Sequence, residues 1–312
     1  AELADAQDQA LLFGERIAAE ALGVTNVQDR YAGDIGDFGK FALLKALSAA
    51  GFKIGVNWYR TCPQRFEKQN DGRFYIPQKY FSCDRWLAEK LSAISQLPTA
   101  ERTISKLQTA GLVDAVWFAD DIPSCEERPA WHSHAVSELS ACDIVFLDPD
   151  NGLLVKSVGK GSAKSVKYVF PEEIEDYVVR GVGVVFYNHR QRKPEDLYFN
   201  EIKETLYARS GLEGRPLAQI TFPKYSVRDY ILIAAQPAHQ QMIDTALKHL
   251  LPGLLANADC ADKSKSLPAL NVGRVVCSVL GGGIPGELGK IEYAGMAELA
   301  DAQDLGSCGA IR

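Results

Sequence analysis

The sequence predicts an α/β fold: a Rossmann-like, mostly parallel sheet with helices on both faces and a C-terminal antiparallel hairpin. Three observations predict it. Short apolar runs alternate with stretches of helical period along most of the chain, the pattern of a parallel sheet covered on both sides. Two late runs, 217–222 (L-A-Q-I-T-F) and 228–235 (R-D-Y-I-L-I-A-A), are separated only by Pro223 to Val227, short enough for a hairpin. Of 312 residues, 46% are hydrophobic, enough to fill the core beneath such a sheet.

The elements follow in order. Residues 38–50 predict a helix with Phe41, Leu44 and Leu47 on one face, Asp37 available to cap its start and Gly51 to end it. Residues 52–58 (F-K-I-G-V-N-W) read as a strand, and 61–81 as irregular and rich in aromatics. Helices fit 83–95 and 99–110, the second closed by Gly111. Strand 112–118, a short helix near 130–140 and strand 143–148 come next. Pro171 opens a helix whose first turns hold Glu172, Glu173 and Glu175, placed well for the helix dipole. Strand 183–188, helix 194–209, the hairpin strands and a helix over about 238–251 complete the series.

We expect an α/β domain over 25–257, a helical extension at 1–24 and a disordered or non-native tail at 258–312, where a polar stretch leads into G-G-G-I-P-G. Residues 1–8 and 297–304 are the same eight letters, A-E-L-A-D-A-Q-D. That is too short for a repeated supersecondary unit. The string around the second copy resembles a leucine transfer-RNA gene read as protein, so we expect both ends to derive from the boundary of a mobile element. An Ala-rich amphipathic helix used twice is the alternative.

Net charge is −6, so nucleic-acid contact would have to rest on local patches. No apolar run is long enough to span a bilayer, and no signal-peptide pattern opens the chain. The seven cysteines (Cys62, Cys83, Cys125, Cys142, Cys260, Cys277 and Cys308) are scattered without a C-x-x-C pair. We therefore expect a cytoplasmic protein with free thiols and no membrane contact.

Four stretches carry candidate chemistry. The strand 143–148 runs into Asp148, Pro149, Asp150, Asn151 and Gly152. In open α/β sheets ligands bind beyond the carboxyl ends of strands. Asp148 there can accept a hydrogen bond from an exocyclic amine, with Asn151 assisting; a simple turn is the plain alternative. Before the first strand stands Gly33, Asp34, Ile35, Gly36, Asp37, Phe38, Gly39, Lys40. Its glycine amides can approach a ligand closely and Lys40 adds charge, or the acids simply cap a helix. The spacing is neither a G-x-G-x-x-G nor a P-loop. Past the strand 183–188, Arg190, Arg192 and Lys193 can hold phosphates, and His189 can move a proton or stack on a base. Lys156, Lys160, Lys164 and Lys167 lie in a Gly/Ser-rich loop. Over 156–193 eight lysines and arginines face four acids, a bias toward a phosphate-bearing substrate in an otherwise acidic chain. His132 and His134 lack a third ligand at metal spacing. The aromatics at 74, 75, 80 and 81 suit core packing better than base stacking.

These motifs resemble class I S-adenosylmethionine-dependent methyltransferases, nearest in pattern to the large-subunit ribosomal RNA adenine-N6 methyltransferases of the J type. The glycine/acid/lysine stretch at 33–40 stands where that family has its motif before the first strand. Residues 148–151 stand where it ends a middle strand on an Asp-Pro-Pro-Tyr-type motif, and the hairpin at 217–235 matches its closing strands. The resemblance implies transfer of a methyl group from S-adenosylmethionine to an amine of a nucleic acid or nucleotide. Asp148, Pro149, Asp150 and Asn151 would then hold the target. Gly33, Asp34, Gly36, Asp37 and Lys40 would contact the cofactor, while His189, Arg190, Arg192, Lys160 and Lys164 would hold the substrate. Departures stand beside it. Residues 56–63 (V-N-W-Y-R-T-C-P) occupy the place of the cofactor's glycine-rich loop, one strand is missing before Asp148, and Asp150 and Asn151 replace a proline and an aromatic. Two other readings stay open. One is a Mg²⁺-dependent phosphoesterase or nuclease using Asp148 and Asp150. The other is a non-catalytic nucleic-acid-binding protein on a degenerate methyltransferase scaffold.

Overall fold

The computed structural model describes residues 29–61, 75–98, 101–222 and 228–255. The expected extension at 1–24, the tail at 258–312 and the turn of the hairpin lie outside these residues.

The chain is α/β, with a six-stranded, mostly parallel sheet flanked by helices and an antiparallel pair at one side. A 3-10 turn at Asp29–Tyr31 leads into helix α1, Ile35–Ala49. The helix begins earlier than residue 38 because Asp34, rather than Asp37, is its cap: Asp34 Oδ1 accepts from the Gly36 and Asp37 amides at 2.6 and 3.3 Å. Gly51, at φ 98°, ends it as expected. Strand β1 (Ile54–Asn57) follows, then α2 (Gln78–Phe81), a single turn inside the stretch expected to be irregular. Helix α3 spans Arg85–Ser95. Helix α4 (Ile104–Thr109) starts later than the expected 99, since Asp29 reaches across the chain to accept the Ile104 amide at 2.7 Å and fixes the start there. Next come β2 (Ala115–Phe118), α5 (Arg128–Glu138), β3 (Ile144–Leu147) and β4 (Gly152–Leu153). The chain continues through β5 (Tyr168–Val169), α6 (Pro171–Val178), β6 (Gly183–His189), α7 (Glu195–Tyr207), β7 (Leu217–Phe222), β8 (Arg228–Ile233) and α8 (Pro237–Leu255).

The order across the main sheet is β2-β1-β3-β6-β8-β7, with β4 and β5 forming a small parallel pair of their own. Strands β1, β2, β3 and β6 are parallel; β8 runs antiparallel to both β6 and β7. The last strand is thus inserted between β6 and the earlier β7, so a hairpin in sequence becomes an insertion in space.

Alternation sorts the side chains onto two faces. Ile54, Val56, Ile144, Phe146, Val185 and Leu232 pack under α1, α3 and α8. Val145, Leu147, Val184, Phe186, Ile231 and Ile233 pack under α5, α6 and α7. The central strands β1 and β3 are buried along their full length, as parallel strands covered on both sides must be.

Candidate functional site

Carrying the register one residue past the last paired positions of β1, β3 and β6 builds the site. Asn57 pairs with Leu147, and Leu147 with Phe186. The next residues are therefore Trp58, Asp148 and Tyr187, and Tyr187 lies directly opposite Tyr230 of β8. All four belong to the α1 face, at the carboxyl end of the parallel strands, where such sheets bind ligands. One step further along the same face, His189 lies opposite Arg228.

Lys40 covers this row from α1. Its Nζ lies 2.6 Å from Asp148 Oδ2, 3.1 Å from Asp37 Oδ1 and 4.9 Å from the centre of the Trp58 ring. The side chains of Lys40 and Asp148 are only 13% and 15% exposed. The glycine/acid/lysine stretch and the D-P-D-N-G stretch therefore meet. Burial works against the Lys40 charge, but Asp148 and Asp37 outweigh it and hold its pKa above the ordinary lysine value. Burial pushes the Asp148 carboxyl up, with Lys40 opposing. Asp34 is raised to about 6 by burial and by the neighbouring Asp37 charge, against the pull of Arg228. Tyr187 is raised to about 12 by burial, and its hydroxyl lies 3.1 Å from His189 Nδ1. Burial and the Arg228 charge lower His189 below the usual histidine value.

The glycines of 33–40 face protein rather than solvent. A Cβ on Gly33 would stand 2.4 Å from the Leu91 carbonyl oxygen, one on Gly36 2.9 Å from the Arg228 guanidinium and one on Gly39 2.9 Å from the Phe222 ring. Both acids are engaged as well: Asp34 caps α1, and Asp37 accepts the Gly33 amide at 2.8 Å in addition to Lys40. This segment is what seats the amino-terminal half of α1 against α3 and β8.

The loop after Asp148 is pinned over the end of β6. Gly152 takes φ 102°, and a Cβ there would lie 2.0 Å from Asn188 Oδ1. That same oxygen accepts the Leu153 amide at 2.7 Å, and the Asn151 carbonyl accepts the His189 amide at 3.2 Å. Pro149 is buried; Asp150 pairs with Lys167 at 3.4 Å, and the Asn151 amide donates to the Lys167 carbonyl at 2.9 Å. Asp150 thus faces the lysine-rich loop, and Asn151 serves the loop through its backbone.

The cationic candidates divide. Arg190 is turned to the opposite face, where it grips the fully buried Asp229 at 2.7 and 2.8 Å and Thr221 at 2.8 Å. It is an internal clamp between β6 and the antiparallel pair. Lys160 pairs with Glu172, and Lys193 with Glu201 at 2.5 Å. Lys156, Lys164 and Arg192 are exposed. His132 lies against Asp176 and His134 between Asp120 and Glu138, so each histidine has carboxylate neighbours of its own. Among the described residues no group of three or more His, Cys, Asp or Glu is arranged to hold a metal ion. Among them also, no helix is long and apolar enough to cross a membrane.

Tyr187 opens the stretch 187–193 expected at this rim, while Trp58, Arg228 and Tyr230 complete the row without a motif to mark them. Their only signal is the period of two, which puts Arg228, Tyr230 and Leu232 on one face; that face is identified only once β8 is known to lie beside β6. Beyond Trp58 the chain turns at Tyr59, the one described non-glycine residue with a left-handed backbone, φ 49°. Its ring is fully buried, and its hydroxyl donates to Glu173 Oε2 at 3.1 Å. Compared with family models, with curated proteins and with solved structures, the chain matches none.

Proposed function

We propose that the rim built on Asp148 binds the exocyclic amine of a nucleobase, in a nucleotide or nucleic acid, on a methyltransferase-like scaffold that does not use S-adenosylmethionine. One observation carries the reading. Asp148 sits at the carboxyl rim with Oδ2 held by Lys40, while Oδ1 has no hydrogen-bond partner among the described residues. A carboxylate fixed on one oxygen and open on the other is a rigid acceptor for N–H. The exposed Lys156, Lys164 and Arg192 supply the positive charge that a phosphate favours.

The cofactor is set aside on fit. Glycines after β1 would let the backbone approach it. Here the residues after β1 are Trp58 and Tyr59, 1% and 0% exposed, whose rings pack into the cores on opposite faces of the sheet. The glycines and acids before β1 are spent on packing and capping. A Mg²⁺-dependent reaction at Asp148 and Asp150 has less support, because Lys40 and Lys167 already stand where the metal would compete.

A thermal-shift panel tests the reading by ligand linkage. AMP and CMP, which carry the amine, should raise the melting temperature, while IMP and UMP, which carry oxygen in its place, should not. Equal shifts from all four would reject it. A shift with S-adenosylhomocysteine would restore methyl transfer as the activity.

A further inference from the structure

This inference rests on the amine-binding reading above and extends it to the atom beside the amine. Tyr230 stands in the same cross-strand row as Asp148, separated from it only by Tyr187. It is 1% exposed, yet its hydroxyl has no hydrogen-bond partner. The indole N–H of Trp58, at the other end of the row and also 1% exposed, has none either. A buried hydroxyl left without a partner is costly to a fold. Phenylalanine would fill the same place between Phe146 and Tyr187, whose ring centres lie 6.0 and 6.3 Å away, without that cost. Other buried polar atoms lack partners too, such as His239 Nδ1 beside Gly183 at the amino end of the sheet. Tyr230 differs in its surroundings, for Lys40, Asp148, Arg228 and Tyr187 all act on its hydroxyl.

The geometry points to Tyr230 as a specificity-determining residue: its hydroxyl donates to a hydrogen-bond acceptor that the ligand carries next to the amine held by Asp148. The ligand class is then a ring with an amine adjacent to an unprotonated ring nitrogen. A donor already unpaired in the free protein gains a hydrogen bond only from ligands that carry the matching acceptor.

The test uses the full chain and two fragments near pH 8, with binding followed by ligand-observed NMR. The first is 4-aminopyrimidine, which sets a ring nitrogen beside its amine; the second is aniline, which does not. The wild type should prefer 4-aminopyrimidine by about fivefold, the worth of one net hydrogen bond. Tyr230→Phe should bind the two alike, keep the affinity for aniline, and melt at or above the wild-type temperature. A structural role for the hydroxyl would lower the melting temperature instead, and that result overturns the inference. So does a Tyr230→Phe variant that keeps the preference. If the wild type binds both fragments equally and Asp148→Asn weakens both, Tyr230 is not the discriminator but the amine site stands. If the wild type binds neither, both readings fall.

Discussion

Lys40 and Asp148 are 108 residues apart in the chain and 2.6 Å apart in space. That contact ties the helix before β1 to the loop after β3, and it makes one site of two stretches that the sequence presents separately. It has a cost: each charge has been taken out of most of its water, and each is supported chiefly by the other.

Removing one partner should therefore hurt more than removing both. Lys40→Met leaves Asp148 buried and unpaired, and we expect a loss of about 3 kcal/mol, the lower end for a broken buried pair. The double variant Lys40→Met/Asp148→Leu should recover a large part of it. Urea unfolding of the single and double variants checks this, and additive losses would show that the two residues are not coupled.

A second buried pair predicts a larger effect. Glu173 accepts from Arg128 at 2.6 and 2.8 Å, from the Phe170 amide at 2.9 Å and from Tyr59 at 3.1 Å. Arg128 also donates to the Ser165 and Tyr168 carbonyls, and so fastens the end of the lysine-rich loop. Glu173→Ala leaves this arginine buried without its anion and should cost about 3–5 kcal/mol. Denaturant midpoints would read the loss, and proteolysis within 156–167 should rise with it.

Gly152 is fixed by backbone and space together. At φ 102°, with Asn188 Oδ1 in the way of any Cβ, Gly152→Ala should destabilise by about 2 kcal/mol or more. It should also weaken nucleotide binding, because Asp148 lies on the same loop. Normal stability with normal binding would mean the loop adapts and does not position the acid.

Asp34 predicts a pH dependence of definite sign. Its folded pKa of about 6 lies above the ordinary 3.8, so the folded state holds the proton more tightly. Its contribution is fully present below pH 3.8 and is lost as pH rises through 6. Asp34→Asn keeps a good cap and removes the charge. The variant should be more stable than wild type above about pH 6, with the difference shrinking toward pH 4. A constant difference across that range would mean that Asp34 does not titrate as its burial implies.

The sheet, the helices around it and the rim position of Asp148 were legible because period-two and helical patterns are local, and because the stop at Asp148 to Gly152 is written in turn residues. The partnership of 33–40 with 148–152 was approached through the resemblance and through the rule for rims, not through any local signal. What the sequence hid was long-range. Arg190 looks like a free cation in a basic run, yet Asp229, a strand residue 39 positions further along, takes it. Tyr230 joins the site only because β8 inserts between β6 and β7.

Recognition of an amine by Asp148 can be read from isothermal titration of AMP and of IMP into the wild type and Asp148→Asn. Wild type should bind AMP at least about tenfold more tightly than IMP, the discrimination expected when a charged acceptor is left unpaired, and Asp148→Asn should lose most of the difference. Equal affinities in the wild type, or a preference that survives the substitution, would contradict it.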